Sequence, residues 1–135
     1  MRIRKQILLA TLAVLAYAAQ AQPLTFSKWQ GVWTGQLDGQ PGVILTLVDE
    51  DGGQMGGTAV FNMVEHKKGE QPHVAGYSIH LLKNLHPSDN TLTFEVIRRN
   101  DHKDLHFAFQ LAGDKKGQLT CTNCDAPVTE LVRSY

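Results

Sequence analysis

A period of two constrains this chain more than any other feature. Leu105, Phe107, Phe109 and Leu111 fall on one side of an extended backbone, and His106, Ala108 and Gln110 fall on the other. Upstream, Leu92, Phe94 and Val96 alternate with Thr93 and Glu95. A helix, with its period of 3.6, would scatter these side chains around its circumference. As strands they give one dry face and one wet face, the habit of antiparallel sheets.

The rest of the chain is punctuated in the same way. All twelve glycines lie beyond residue 30, between short runs rich in Val, Leu, Ile, Phe and Thr. Eight runs can be marked, at 31–38, 42–49, 54–64, 73–81, 91–99, 104–111, 117–122 and 127–133. Turn chemistry joins them: Asp38-Gly39-Gln40-Pro41-Gly42, Asp51-Gly52-Gly53, Pro87-Ser88-Asp89-Asn90, Asn100-Asp101, and Gly113-Asp114 through Gly117. The longest polar connection runs from Glu65 to Pro72 and is a candidate mobile loop. No helical pattern of ten residues stands out after residue 21, although a single turn over Thr25–Gln30 capped by Ser27 fits.

Short connections predict an up-and-down meander. A flat eight-stranded sheet would leave its apolar face in water, whereas closure buries that face and removes both edges. The expected fold is therefore all-β, an eight-stranded antiparallel up-and-down barrel, with a two-sheet sandwich as the competitor. One domain suffices for residues 22–135.

Residues 1–21 read as a secretory signal peptide. Arg2, Arg4 and Lys5 precede an apolar stretch from Ile7 to Ala16, and Ala19-Gln20-Ala21 is a small-x-small cleavage pattern. An apolar stretch of ten residues is too short to cross about 30 Å of hydrocarbon as a helix. The expected product begins at Gln22 and is secreted or periplasmic, with no membrane span. Removing the three leader cations leaves 10 basic residues against 13 acidic ones, a formal charge of −3. Such a balance speaks against nucleic acid as a partner.

Phe26-Ser27-Lys28-Trp29-Gln30-Gly31-Val32-Trp33-Thr34-Gly35 resembles the opening of calycin-type barrels, the lipocalins and avidins. In those families a helical turn precedes a Gly-x-Trp on the first strand, and a basic residue on the last strand covers the Trp. Here the matches are Gly31-Val32-Trp33 and Arg133. The resemblance implies a structural plug in which Arg133 lies over the Trp33 ring. Val43–Phe61, with Gly56-Gly57-Thr58, also looks like the second and third strands of an avidin. Trp33-Thr34-Gly35-Gln36-Leu37 and Leu92-Thr93-Phe94-Glu95-Val96 resemble small exported bacterial barrels, mostly of unassigned activity. Biotin-binding avidins place further Trp residues on later strands, and this chain has only Trp29 and Trp33.

Cys121-Thr122-Asn123-Cys124 reads as a local disulfide, because a four-residue turn brings its ends within about 7 Å. Metal ligation and redox catalysis are the alternatives; Asp125 and a following strand disfavour the thiolate that redox work needs. Six histidines, His66, His73, His80, His86, His102 and His106, lack metal-ligand spacing. His80 and His106 lie within strands and could point either way. Asp49-Glu50-Asp51-Gly52-Gly53 lacks the later Glu of a calcium loop. The mixed-charge run Arg98–Asp104 reads as a solvated hairpin tip. Nucleophile-elbow, phosphate-loop and dinucleotide motifs are absent, and Ser27, Ser78, Ser88 and Ser134 show no partner in the sequence.

These features favour a binding barrel without catalytic activity or cofactor, holding a small apolar or amphipathic molecule against Trp33, Tyr77, Phe94, Phe107 and Phe109. One alternative is a filled barrel that works through a protein partner. Another is an enzyme using His80 or His106 as a base.

Overall fold

A computed structural model describes residues 28–50 and 53–135. The predicted leader, Ser27 and Asp51 lie outside them, while Lys28 and Trp29 form a turn. Nine strands follow: β1 (Gly31–Leu37), β2 (Gln40–Glu50), β3 (Gln54–Glu65), β4 (His73–Leu81), β5 (Lys83–Ser88), β6 (Thr91–Ile97), β7 (Asp104–Leu111), β8 (Lys116–Cys121) and β9 (Thr129–Arg133). No helix occurs among the described residues.

The strands form one antiparallel sheet in the order β4-β3-β2-β1-β9-β8-β7-β6-β5. Each strand pairs with its neighbour in sequence, with one exception. Among the described residues β4 and β5 share no ladder; instead β1 pairs with β9, Trp33 opposite Arg133. The sheet curls into a half-barrel whose opening sits in mid-chain. The up-and-down expectation holds, but the count of eight and the complete closure do not. The ninth strand is β5, which reads in the sequence as a connection ending in the turn Pro87-Ser88-Asp89-Asn90; within the strand Pro87 removes a donor and Asn84 adopts φ +52°. An edge strand tolerates both, since its outer groups need no partner.

Side chains bridge the opening where the ladder stops. His80 Nδ1 meets the Ile97 carbonyl at 3.0 Å, and Arg99 Nη2 donates to the Ile79 carbonyl at 3.3 Å. Between β4 and β5, Leu82 turns inward and its N–H donates to the Gly57 carbonyl at 3.0 Å.

Local sequence sets the tight turns. Asp38 and Gly39 both adopt positive φ, +50° and +74°, as a two-residue hairpin turn of the primed type requires. Gly35 answers a different need. A methyl there would come within 2.6 Å of both Leu131 and Thr129, so its absence lets β9 lie close on β1.

The core has its densest packing at one end of the half-barrel. Trp29, Trp33, Phe109, Leu92 and Leu131 are all fully buried. The Trp33 and Phe109 rings meet edge-on with centroids 4.9 Å apart. Trp33 Nε1 donates to the Trp29 carbonyl at 2.9 Å, which satisfies its one polar atom. The Arg133 guanidinium lies 4.5 Å from the Trp33 ring centre, and its Nη2 donates to the Lys28 carbonyl. Trp33→Ala should therefore cost about 3–5 kcal/mol of unfolding free energy. Arg133→Met, which keeps the stem and loses the cation, should cost about 1–2 kcal/mol. Urea denaturation of both variants checks the ranking.

Candidate ligand site

The opposite end is less filled. Phe107 on β7 stacks between Phe94 on β6 and Phe61 on β3, with centroid separations of 5.5 and 5.4 Å. Above this aromatic layer lies a cavity of about 310 Å³. Val43, Val96, Leu105 and Leu119 extend its apolar wall, and the Cys121–Cys124 disulfide with Ala126 and Pro127 closes one side. Ser78, His80, Asn62, Thr129 and Arg98 supply the polar atoms. Among the described residues Arg98 is the only Lys or Arg on the wall, and no Asp or Glu lines it.

Ser78 and His80 sit two apart on β4 and so share its inward face. His80 Nε2 lies 2.9 Å from Ser78 Oγ, while Nδ1 faces the Ile97 carbonyl. A carbonyl oxygen can only accept, so Nδ1 carries the proton. Nε2 is then bare, and the Ser78 hydroxyl donates to it. Sequence reasoning left Ser78 without a partner. The signal was a Ser-x-His at period two, hidden because both faces of 73–81 carry apolar residues.

That strand inverts the usual rule. Its more apolar set, Tyr77, Ile79 and Leu81, faces outward with exposures of 69%, 48% and 75%. Tyr77, expected beside the ligand, therefore stands on the outer surface. Trp33 and Phe109 are packed into the closed end, away from the cavity, and Phe94 lies behind Phe107. Of the five aromatic residues expected at the ligand, only Phe107 lines the cavity; Phe61 joins it.

The two strand histidines separate. His80 turns in, whereas His106 stands exposed on the outer face, 3.5 Å from Glu95. His66, His73, His86 and His102 are exposed. Among the described residues no three His, Cys, Asp or Glu side chains converge on a metal-sized site.

The charged tip also divides. Arg98 Nε donates to Asp101 Oδ1 at 2.9 Å and Nη2 to Oδ2. This pairing holds the Asp101 carboxyl well below the usual carboxylate range, the hydrogen bonds from Arg98 contributing most. Asp101 thereby orients the guanidinium at the cavity rim. For Nη1 there is no hydrogen bond among the described residues.

Cys121 and Cys124 form a disulfide, their Cα atoms 5.6 Å apart. Asn123 inside this loop accepts from His106 N–H at 2.8 Å and donates to the Asp104 carbonyl at 2.9 Å. The loop is thus tied to the start of β7, which fixes one wall of the cavity.

Comparison with protein-family models, curated proteins and solved structures finds no match.

Two outcomes follow from this geometry. Because the native pKa of Asp101 lies below its unfolded value, its contribution is present above about pH 4 and is lost as pH falls through the native value. A carboxyl-carbon NMR titration should find Asp101 still ionised at about pH 3.9, where a free Asp is half protonated. Replacing both cysteines by Ala should lower stability by about 2 kcal/mol, the entropy of a four-residue closure. Calorimetric melting measures that loss.

Proposed function

We propose that this protein is an exported binding module of calycin-like type that holds a small amphipathic molecule in the cavity at the less filled end of the half-barrel. One observation carries the reading: an apolar wall whose rim holds the Arg98 guanidinium, which Asp101 engages through Nε and Nη2 and for which Nη1 has no hydrogen bond among the described residues. The apolar body of the ligand stacks on Phe107 and Phe61, and its acceptor head group, a carboxylate for preference, meets Arg98. At roughly 30 Å³ per water-sized group, the cavity takes about ten heavy atoms, the size of octanoic acid. The leader-like residues 1–21 and the disulfide support export.

A second reading draws on the outward stripe Tyr77, Ile79 and Leu81, whose exposure suits a protein-interaction module.

Titration calorimetry with octanoate, octanol and palmitate separates the two. Octanoate should bind once per chain, octanol more weakly, and palmitate no better than octanoate. Arg98→Gln should weaken octanoate about tenfold and leave octanol unchanged. Leu119→Trp, which fills the cavity, should abolish both. If none of the three binds at millimolar concentration, the cavity reading fails.

A further inference from the structure

The cavity wall carries a nucleophile already paired with a base. We propose that Ser78 and His80 form a catalytic dyad that hydrolyses esters of short-chain carboxylic acids, with the acyl chain seated in the apolar cavity. This rests on the cavity being a ligand site and goes beyond binding.

Three features of the geometry support it. The Ser78 hydroxyl lies 2.9 Å from His80 Nε2, within the range for proton transfer. The Ile97 carbonyl, 3.0 Å from Nδ1, fixes the tautomer that leaves Nε2 free to accept, the task an acidic residue performs in a triad. Ser78, His80 and Arg98 border the same apolar space, so an acyl chain lying there brings its carbonyl carbon to the polar rim.

The steps balance without a metal or a redox partner. Ser78 Oγ forms a bond to the acyl carbon as its proton passes to His80 Nε2. The tetrahedral oxyanion is stabilised by the Arg98 guanidinium through Nη1. Its collapse breaks the bond to the alkoxide oxygen, which leaves with the proton from His80. Water then attacks the acyl-Ser78 ester with His80 again as base, releasing the carboxylic acid and restoring the hydroxyl. The acid formed is the kind of molecule that the cavity is proposed to bind, so product inhibition by octanoate follows.

His80 also bridges the sheet opening through the Ile97 carbonyl, so loss of activity on its removal could reflect structure alone. The decisive measurement is therefore made on the unaltered full chain. An octyl fluorophosphonate is incubated with the protein, and the modified residue is located by peptide mass spectrometry. Labelling should fall on Ser78 in one-to-one stoichiometry, and octanoate should slow it. Ser78→Ala should lose the label and the hydrolysis of p-nitrophenyl octanoate while keeping its melting temperature. His80→Gln, which retains a side-chain amide to meet Ile97, should slow labelling by about a hundredfold or more. If the probe leaves Ser78 unmodified, or if Ser78→Ala hydrolyses the ester at the original rate, the dyad is overturned. Octanoate binding without Ser78 labelling refutes the dyad and leaves the binding reading standing; the absence of both refutes both.

Discussion

Everything in this structure depends on the pairing of β1 with β9. That single ladder joins two meanders that are otherwise only locally paired, β1 to β4 and β5 to β9. Trp33 and Arg133 sit opposite each other in it, so the ring that fills the closed end and the cation that covers it come from the two strands that must meet. Backbone features near that junction reinforce it. Gly35 lets the strands approach, and the carbonyl of Tyr135 accepts from Val32 N–H at 2.9 Å. Burial of Trp29, Trp33, Phe109 and Leu131 then supplies the apolar area that holds both halves in one core.

The division between a filled end and a hollow end follows from side-chain size along the inward faces. Indole and phenyl rings crowd the first. The second has Val43, Val96, Leu119 and a disulfide, which leave space above the Phe107 layer. Polar groups gather there because β4 offers Ser78 and His80 to the interior rather than its larger apolar side chains. A strand at the edge of an incomplete barrel is free to do so. Its inward polar atoms find partners in one another and in the Ile97 carbonyl, so the burial costs little.

Much of the fold was legible in the sequence. The alternation at Leu92–Val96 and Leu105–Leu111 placed β6 and β7 with the correct faces, Arg133 lies over the Trp33 ring, and the cysteine pair is bonded, but Trp33 does not reach the cavity where it was also expected. Two things were hidden for physical reasons. β5 is an edge strand with one partner, so nothing selects against Pro87 or the polar residues around it. β4 carries apolar residues on both faces, so hydrophobicity alone cannot tell which face is dry. That ambiguity put Tyr77 at the ligand and left Ser78 and His80 apart. The plug and the cavity also drew on a single list of aromatic residues. Periodicity says which side of a strand a ring faces, but not how far along the barrel axis it lies.

The position of the opening has a consequence for how the chain reaches this shape. Each meander is built of hairpins, whose partners are close in sequence and meet at small entropic cost. The ladder between β1 and β9 is the reverse, since Thr34 and Val132 must find each other across nearly the whole described chain. Contacts of such sequence separation slow folding, because the chain loses its loop entropy before the contact repays it. The plugged end is thus the natural seat of the folding barrier. The cavity end is formed from hairpins on either side of the break, and there the two meanders meet through side-chain bridges and the stacking of Phe61 on Phe107 rather than through a ladder.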